Sequence, residues 1–188
     1  MRRLAVLLSA VTFACLAAGT VRATVILPAE FREIVDHSQI IAYGRVVDAV
    51  AELSDDRKRI DTVVTVEVAT YLKGGPGETL TFRVPGGQIG RYRSVTVGAP
   101  EFASGDEAVL FLSRGSDGLP YVFGLNQGVF RVHRDARTQR RLVMPPLVAR
   151  GEAPETVVRG AALRQAMPLE TFGAQIQAVM AELASRAR

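Results

Sequence analysis

Cysteine occurs once, at Cys15, and histidine twice, at His37 and His133, in a chain of 188 residues. Each scarcity removes a class of chemistry. Neither histidine stands in a metal spacing such as His-x3-His, so they read as a helix-end and a surface residue. No Gly-x-Ser-x-Gly elbow is present, and Ser113 and Ser116 have no histidine in a plausible context. Asp55-Asp56 lacks the alternating oxygen ligands of a calcium loop and reads as a solvated turn. Glu101 and Asp106 flank a loop but form no recognisable hydrolytic pair. No catalytic, cofactor or metal residue is therefore expected, and the chain reads as something other than an enzyme.

What the amino terminus does have is a three-part layout. Met1-Arg2-Arg3 is a short positive start. An apolar stretch follows from Leu4 to Ala18, interrupted only by Ser9 and Thr12, and small residues end in Val21-Arg22-Ala23. This is the pattern of a cleavable secretory signal, residues 1–23, with the cut expected after Ala23 or, as an alternative, after Gly19. The apolar stretch is shorter than the roughly 20 residues a spanning helix needs. Cleavage would carry away Cys15, so the product would form no disulfide, offer no thiol nucleophile and hold no cysteine-ligated metal. An exported, cysteine-free product points to the periplasm or the extracellular space, with no stable membrane insertion after cleavage.

The same cleavage changes the charge. The whole chain carries 23 basic and 19 acidic residues, a net of +4. Arg2, Arg3 and Arg22 leave with the signal, which reduces the net to 23 − 3 − 19 = +1. Binding to nucleic acid needs a surplus of Lys and Arg on one face, so it is not expected. The balance is uneven: Thr24 to Phe130 has 10 basic and 14 acidic residues, Arg131 to Arg188 has 10 and 5. The basic tail reads as solvated.

The remaining chain is β-rich. Pro28 to His37 predicts a short helix that would cap one end of a sheet, with Phe31, Ile34 and Val35 on one side. Ile40 to Leu53 predicts a strand in which Gly44 marks a bulge or a sharp coil. Ser54 to Arg59 is a polar hairpin loop. Ile60 to Leu72 alternates, with Val64, Val66, Val68 and Leu72 on one face and Thr65, Glu67 and Tyr71 on the other. Thr79 to Val84 alternates again, with Leu80, Phe82 and Val84 inward. Further strands are expected near Tyr92–Val97, Glu107–Leu112, Tyr121–Phe123, Gly128–His133 and Arg140–Val143. Pro145-Pro146 opens a link running to about Pro154. A carboxyl-terminal helix then carries an apolar stripe of Leu169, Phe172, Ile176, Val179 and Leu183, with Pro168 at an early helical position. Many short strands with glycine turns, and a long first pair with a mid-strand glycine, predict a mostly β fold. The expected form is a small OB-like Greek-key barrel over 24–144, followed by a linker and amphipathic helix over 145–188.

Several segments carry a resemblance: Ser38-Gln39-Ile40-Ile41-Ala42-Tyr43-Gly44-Arg45-Val46, Val64-Thr65-Val66-Glu67-Val68, Tyr71-Leu72-Lys73-Gly74, and Gly105-Asp106-Glu107 with its aliphatic run to Leu112. Their order resembles the netrin-like and tissue-inhibitor-of-metalloproteinases OB folds. It is similar also to exported bacterial proteins of unassigned function that share Val84-Pro85-Gly86-Gly87 and Gln127-Gly128-Val129-Phe130. The metalloproteinase inhibitors chelate zinc through an amino-terminal cysteine, whereas the expected start here is Thr24-Val25-Ile26-Leu27. That wedge does not carry over, and an inhibitor would need another surface.

The expected role is a non-catalytic binding module with a protein partner; the resemblance points to an exported protease. Gly86-Gly87-Gln88-Ile89-Gly90 is glycine-rich, but strand residues follow it where a phosphate cradle would need a helix. It reads as a strand connector, and Gly86, Gly87 and Gln88 are candidates for partner contact. Asn126 and Gln127, between Gly124 and Gly128, are further candidates. The alternatives are a hydrolase with an unrecognised carboxylate site and a carbohydrate- or oligonucleotide-binding barrel using Tyr43, Phe82 and Tyr92. An exposed apolar patch near the glycine loops would favour the protein binder. Converging carboxylates in a deep pocket would favour the enzyme, and an aromatic groove the third reading.

Overall fold

A computed structural model describes residues 28–54, 57–75, 77–115, 118–146 and 166–186. The expected signal segment and most of the link after Pro146 lie outside these residues.

Helix α1 (Phe31–His37) comes first. It starts three residues later than the sequence periodicity predicts, because Glu30 is extended and its carbonyl accepts the first helical bond from Ile34 N. Proline-free, β-branched runs then make two long strands, β1 (Ile40–Leu53) and β2 (Ile60–Lys73), paired antiparallel. β3 (Thr79–Pro85) pairs with β2, and a small hairpin of β4 (Gly87–Ile89) and β5 (Tyr92–Ser94) follows. β6 (Glu107–Ser113) returns to pair with β1 over Ile40–Arg45. β7 (Tyr121–Val122) joins β6 to β3, running parallel to β3. The ring β1-β2-β3-β7-β6 is thereby closed, giving the five-stranded barrel of an OB-like fold.

Beyond the ring, a 3-10 turn (Leu125–Gly128) leads into β8 (Val129–Arg134), which pairs with the other half of β6. β9 (Arg141–Met144) and the two-residue β10 (Met167–Pro168) extend the sheet, and helix α2 (Leu169–Arg186) ends the described chain. Pro168 sits in β10, just ahead of the helix.

The strands separate two cores. Inside the barrel lie Val46, Val64, Val66, Leu80, Phe82, Val84, Leu110 and Leu112. On the outer face of β1, β6, β8 and β9, residues Ile41, Val109, Phe111 and Phe130 are covered by Phe31, Ile34 and Val35 of α1 and by Phe172 and Ile176 of α2. α1 thus lies with α2 on the outer face, and its carboxyl end is tied to the ends of β2 and β6, where Lys73 Nζ donates to Val35 O at 3.0 Å and Ser113 Oγ to His37 O at 3.1 Å. β6 is a continuous apolar run because both its faces are buried.

One face assignment changes. Leu72 packs with the helix-side core and Tyr71 with the barrel interior, the reverse of simple alternation. The cause is in the register: Tyr43 pairs with Thr70 and Gly44 with Val68, which leaves Ala69 as an extra residue of β2. A bulge shifts the phase of every residue beyond it. Gly44 faces this bulge, and a Cβ there would come 2.6 Å from Val66 Cγ1 and into contact with the Glu67 carbonyl.

Candidate functional site

The β2 bulge opens a groove of about 350 Å³ lined by Tyr43, Gly44, Arg45, Glu67, Val68, Ala69, Glu107 and Arg141. β1 and β6 set its chemistry. Arg45 and Glu107 are direct cross-strand partners, and Tyr43 lies two residues away on the same face of β1. Tyr43 Oη donates to Glu107 Oε2 at 2.5 Å, Arg45 Nη2 to Oε1 at 3.1 Å, and Arg141 Nε stands 3.6 Å from Oε2. The Arg141 guanidinium also lies over the Tyr43 ring, 5.7 Å from its centroid.

These contacts perturb both titrating groups. Burial, and then the bond to Glu107, push Tyr43 up to about 12. The Tyr43 hydroxyl, with Arg141 and Arg45, holds Glu107 below the usual carboxylate range against its own desolvation. At neutral pH the tyrosine keeps its proton and the glutamate keeps its charge. A general acid or base works best near the ambient pH, and neither group is placed there. The cluster fastens β1, β6 and β9 together.

A second cluster holds the segment before β6. Arg131 Nη1 pairs with Asp106 Oδ2 at 2.8 Å, its Nη2 donates to the Glu101 carbonyl, and its guanidinium lies 5.4 Å from the Phe102 centroid. Asp106 Oδ2 also accepts from Ala103 N at 3.0 Å. The Glu101 carboxylate points elsewhere, 3.8 Å from Arg93. The two carboxylates thus face different arginines, Asp106 in a close pair and Glu101 in a long, exposed contact.

The residues singled out from sequence fall in two places. Gly86, Gly87 and Gln88 begin the β4–β5 hairpin, which folds over the β1–β2 pair. Gly86 N donates to Ile60 O at 3.0 Å, and Thr62 Oγ1 donates to Gly86 O at 2.7 Å. Gly87 is no free loop tip: at φ +149°, a Cβ on it would meet Thr62 Oγ1 at 2.8 Å and Ala51 Cβ at 3.0 Å. Gln88 is exposed and its Nε2 donates to Gly90 O at 3.1 Å. Asn126 and Gln127 occupy the 3-10 turn. Gln127 is buried, and its Oε1 accepts from Ala29 N at 2.6 Å, tying the turn to the lead-in of α1. That bond accounts for Gln127 structurally; Asn126 is half-buried beside it.

The aromatic candidates do not form a platform. Phe82 lies fully inside the barrel and Tyr43 is buried in the outer core, so of the three only Tyr92 is exposed. His37 Nδ1 lies 3.0 Å from Glu33 O and its ring 6.1 Å from that of Phe123, while His133 is exposed on β8, far along the chain from His37. Ser113 Oγ donates to the backbone carbonyl of His37 and does not meet its ring. Among the described residues, no group of three or more His, Cys, Asp or Glu could hold a metal ion, and no helix is long and apolar enough to cross a membrane.

Sequence reasoning names Tyr92 only as an aromatic platform and does not single out the exposed valines that follow the hairpin. Tyr92 is 62% exposed, Val95 70% and Val97 86%. Part of the signal is present, since Ser94-Val95-Thr96-Val97 alternates like a strand, whereas Tyr92 is out of phase with the two valines. The strand ends at Ser94, and among the described residues no strand pairs with Val95 to Val97. No family model, no curated protein and no solved structure matches this chain.

Proposed function

We propose that this chain is an exported, non-catalytic module that binds another protein through the end of the barrel carrying the β4–β5 hairpin. The observation that carries the reading is the exposure of Tyr92, Val95 and Val97 beside the glycine loop that begins at Gly86. Large apolar side chains held in water on and just after a short hairpin mark interaction surfaces, and tyrosine is enriched where binding energy concentrates. Gly86, Gly87 and Gln88 belong to this surface as its frame: the glycines let the hairpin fold close over β1–β2, and Gln88 stands at its rim. The resemblance to the inhibitor OB folds makes an exported protease the partner class to try first. The hydrolase reading gains little from the carboxylates, because Glu107 and Asp106 are each held by arginine. Export rests on the layout of Met1 to Ala23.

The test is capture from an envelope extract with the wild-type protein and with a Tyr92→Ser/Val97→Ser variant on parallel supports. A protein retained by the first and lost by the second, with both baits equally folded by circular dichroism, is the expected result. Identical captured sets would remove the hairpin from the proposal.

A further inference from the structure

β1 is longer than the strand that closes the barrel against it. β6 covers its outer edge only as far as Arg45, and the Ser104–Asp106 segment covers Val46 and Val47. Among the described residues, β1 pairs only with β2 from Asp48 to Leu53. The direction of the backbone groups there follows from two bonds. Ser54 N donates to Arg59 O, so Ser54 and Arg59 face each other. Ile60 O accepts from Gly86 N, so Ile60, the partner of Leu53, faces β3. The register is continuous from Asp48 to Leu53, so hydrogen-bonded and non-bonded pairs alternate. Ala49, Ala51 and Leu53 therefore turn their N–H and C=O groups away from β2. Among the described residues no strand receives them; Ala49 N alone is met, by Asp48 Oδ1 at 2.9 Å.

Such an edge is a template for another strand, and proteins usually blunt it with lysine, proline or a bulge. Here Asp48 to Leu53 contains neither proline nor lysine, its charges are the two acids Asp48 and Glu52, and the nearest irregularity lies before Asp48. We infer that this edge pairs antiparallel with the same edge of a second copy of this chain, about a two-fold axis at Ala51.

The occupant is chosen by self-complementarity. An axis at Ala51 sets Ala51 opposite its own copy and Ala49 opposite Leu53, so the outward-turned groups of both copies bond to each other in register. Val50, which is 46% exposed, then faces Glu52 of the other copy, and Asp48 faces Ser54. No charge meets a like charge directly across the seam. A symmetric interface of this kind closes on itself and does not propagate. The inference is independent of the partner proposed for the hairpin, since it uses backbone groups on a different edge.

Sedimentation velocity over a dilution series tests it, on the protein purified after expression from the full 188-residue sequence. A dimer with a concentration-dependent equilibrium is expected. Val50→Asp places an acid opposite Glu52 on both sides of the axis and should weaken dimerisation about tenfold. Val50→Lys places a base there and should strengthen it by a similar factor. Ala51→Pro removes an outward N–H that the β2 ladder does not use and should yield a monomer with an unchanged far-UV spectrum. Because Val50 is exposed, the charge pair keeps the test valid if the proline variant misfolds. A monomer at micromolar concentration overturns the inference, as does a dimer that shifts equally with Val50→Asp and Val50→Lys.

Discussion

Replacing Gly44 by alanine tests the close approach of β1 to β2 beside the Ala69 bulge. The added Cβ would sit 2.6 Å from Val66 Cγ1 and closer still to the carbonyl of Glu67. Carbon atoms in contact normally stand about 3.5–4.0 Å apart, so the methyl intrudes by roughly 1 Å. Neither neighbour can yield easily. Val66 is fully buried in the barrel interior, and the Glu67 carbonyl is backbone of the strand to which β1 is bonded. The pair must spread beside the Ala69 bulge or the methyl must distort it. Overpacking of this kind costs about 1–3 kcal/mol. Loss of glycine's freedom in the unfolded chain returns about 0.4–1 kcal/mol of that. A net loss of about 1–2 kcal/mol is expected for alanine, and more for valine, whose two further methyls enter the same space. With a urea slope of roughly 1–3 kcal/mol per molar, the midpoint should fall by about 1 M at an unchanged slope. Gly173 is the control. It lies in α2 with its nearest contact, Leu72 Cδ2, at an ordinary 3.8 Å, so Gly173→Ala should stabilise by about 0.5–1 kcal/mol. If both variants prove equally stabilising, the strands are not in close approach at Gly44 and the reasoning fails.

Two further perturbations probe the fastener and the outer core. Tyr43 has its folded value raised to about 12 from 10.0, so its contribution is fully present below pH 10 and is lost as pH rises through 12. Wild type should lose on the order of 2 kcal/mol across that window beyond the loss of Tyr43→Phe, read from melts at pH 9 and 11.5; equal losses would refute the coupling. Glu107 has the opposite sign: its value is lowered, so its contribution holds above the usual carboxylate range and fades as pH falls through the depressed value. Phe172 of α2 packs on Phe130, Phe31 and Phe111 with ring centroids 4.9, 5.5 and 6.2 Å away. Phe172→Ala should cost about 3–5 kcal/mol in a thermal or urea melt, and a cost below about 1 kcal/mol would mean that α2 does not complete the core.

Much of the architecture follows from local pattern. β-Branched runs free of proline mark β1 and β2, and alternation in Thr79–Val84 correctly turns Leu80, Phe82 and Val84 into the barrel. The stripe on α2 from Leu169 to Leu183 meets the outer core as its spacing requires. Glycine in the middle of β1 marks close approach before any neighbour is known. Period and propensity are properties of a few consecutive residues, so a sequence displays them directly.

What tertiary structure alone decided was which distant residues meet. Nothing near Tyr43 indicates that its hydroxyl would bond Glu107, or that Arg141 would join them; closure of β1 against β6 and the return of β9 do that. Gln127 looked like a turn residue free to meet a ligand, and burial against the lead-in of α1 turned it into an acceptor for Ala29 N. Ala69 is an unremarkable residue in an alternating strand until the partner strand skips it and reverses the faces of Tyr71 and Leu72. Among the described residues, the edge from Asp48 to Leu53 is left open because β6 stops pairing with β1 at Arg45. Hydrogen bonds and ion pairs depend on distances of a few ångströms between atoms far apart in the chain, and those distances arise only when the barrel closes.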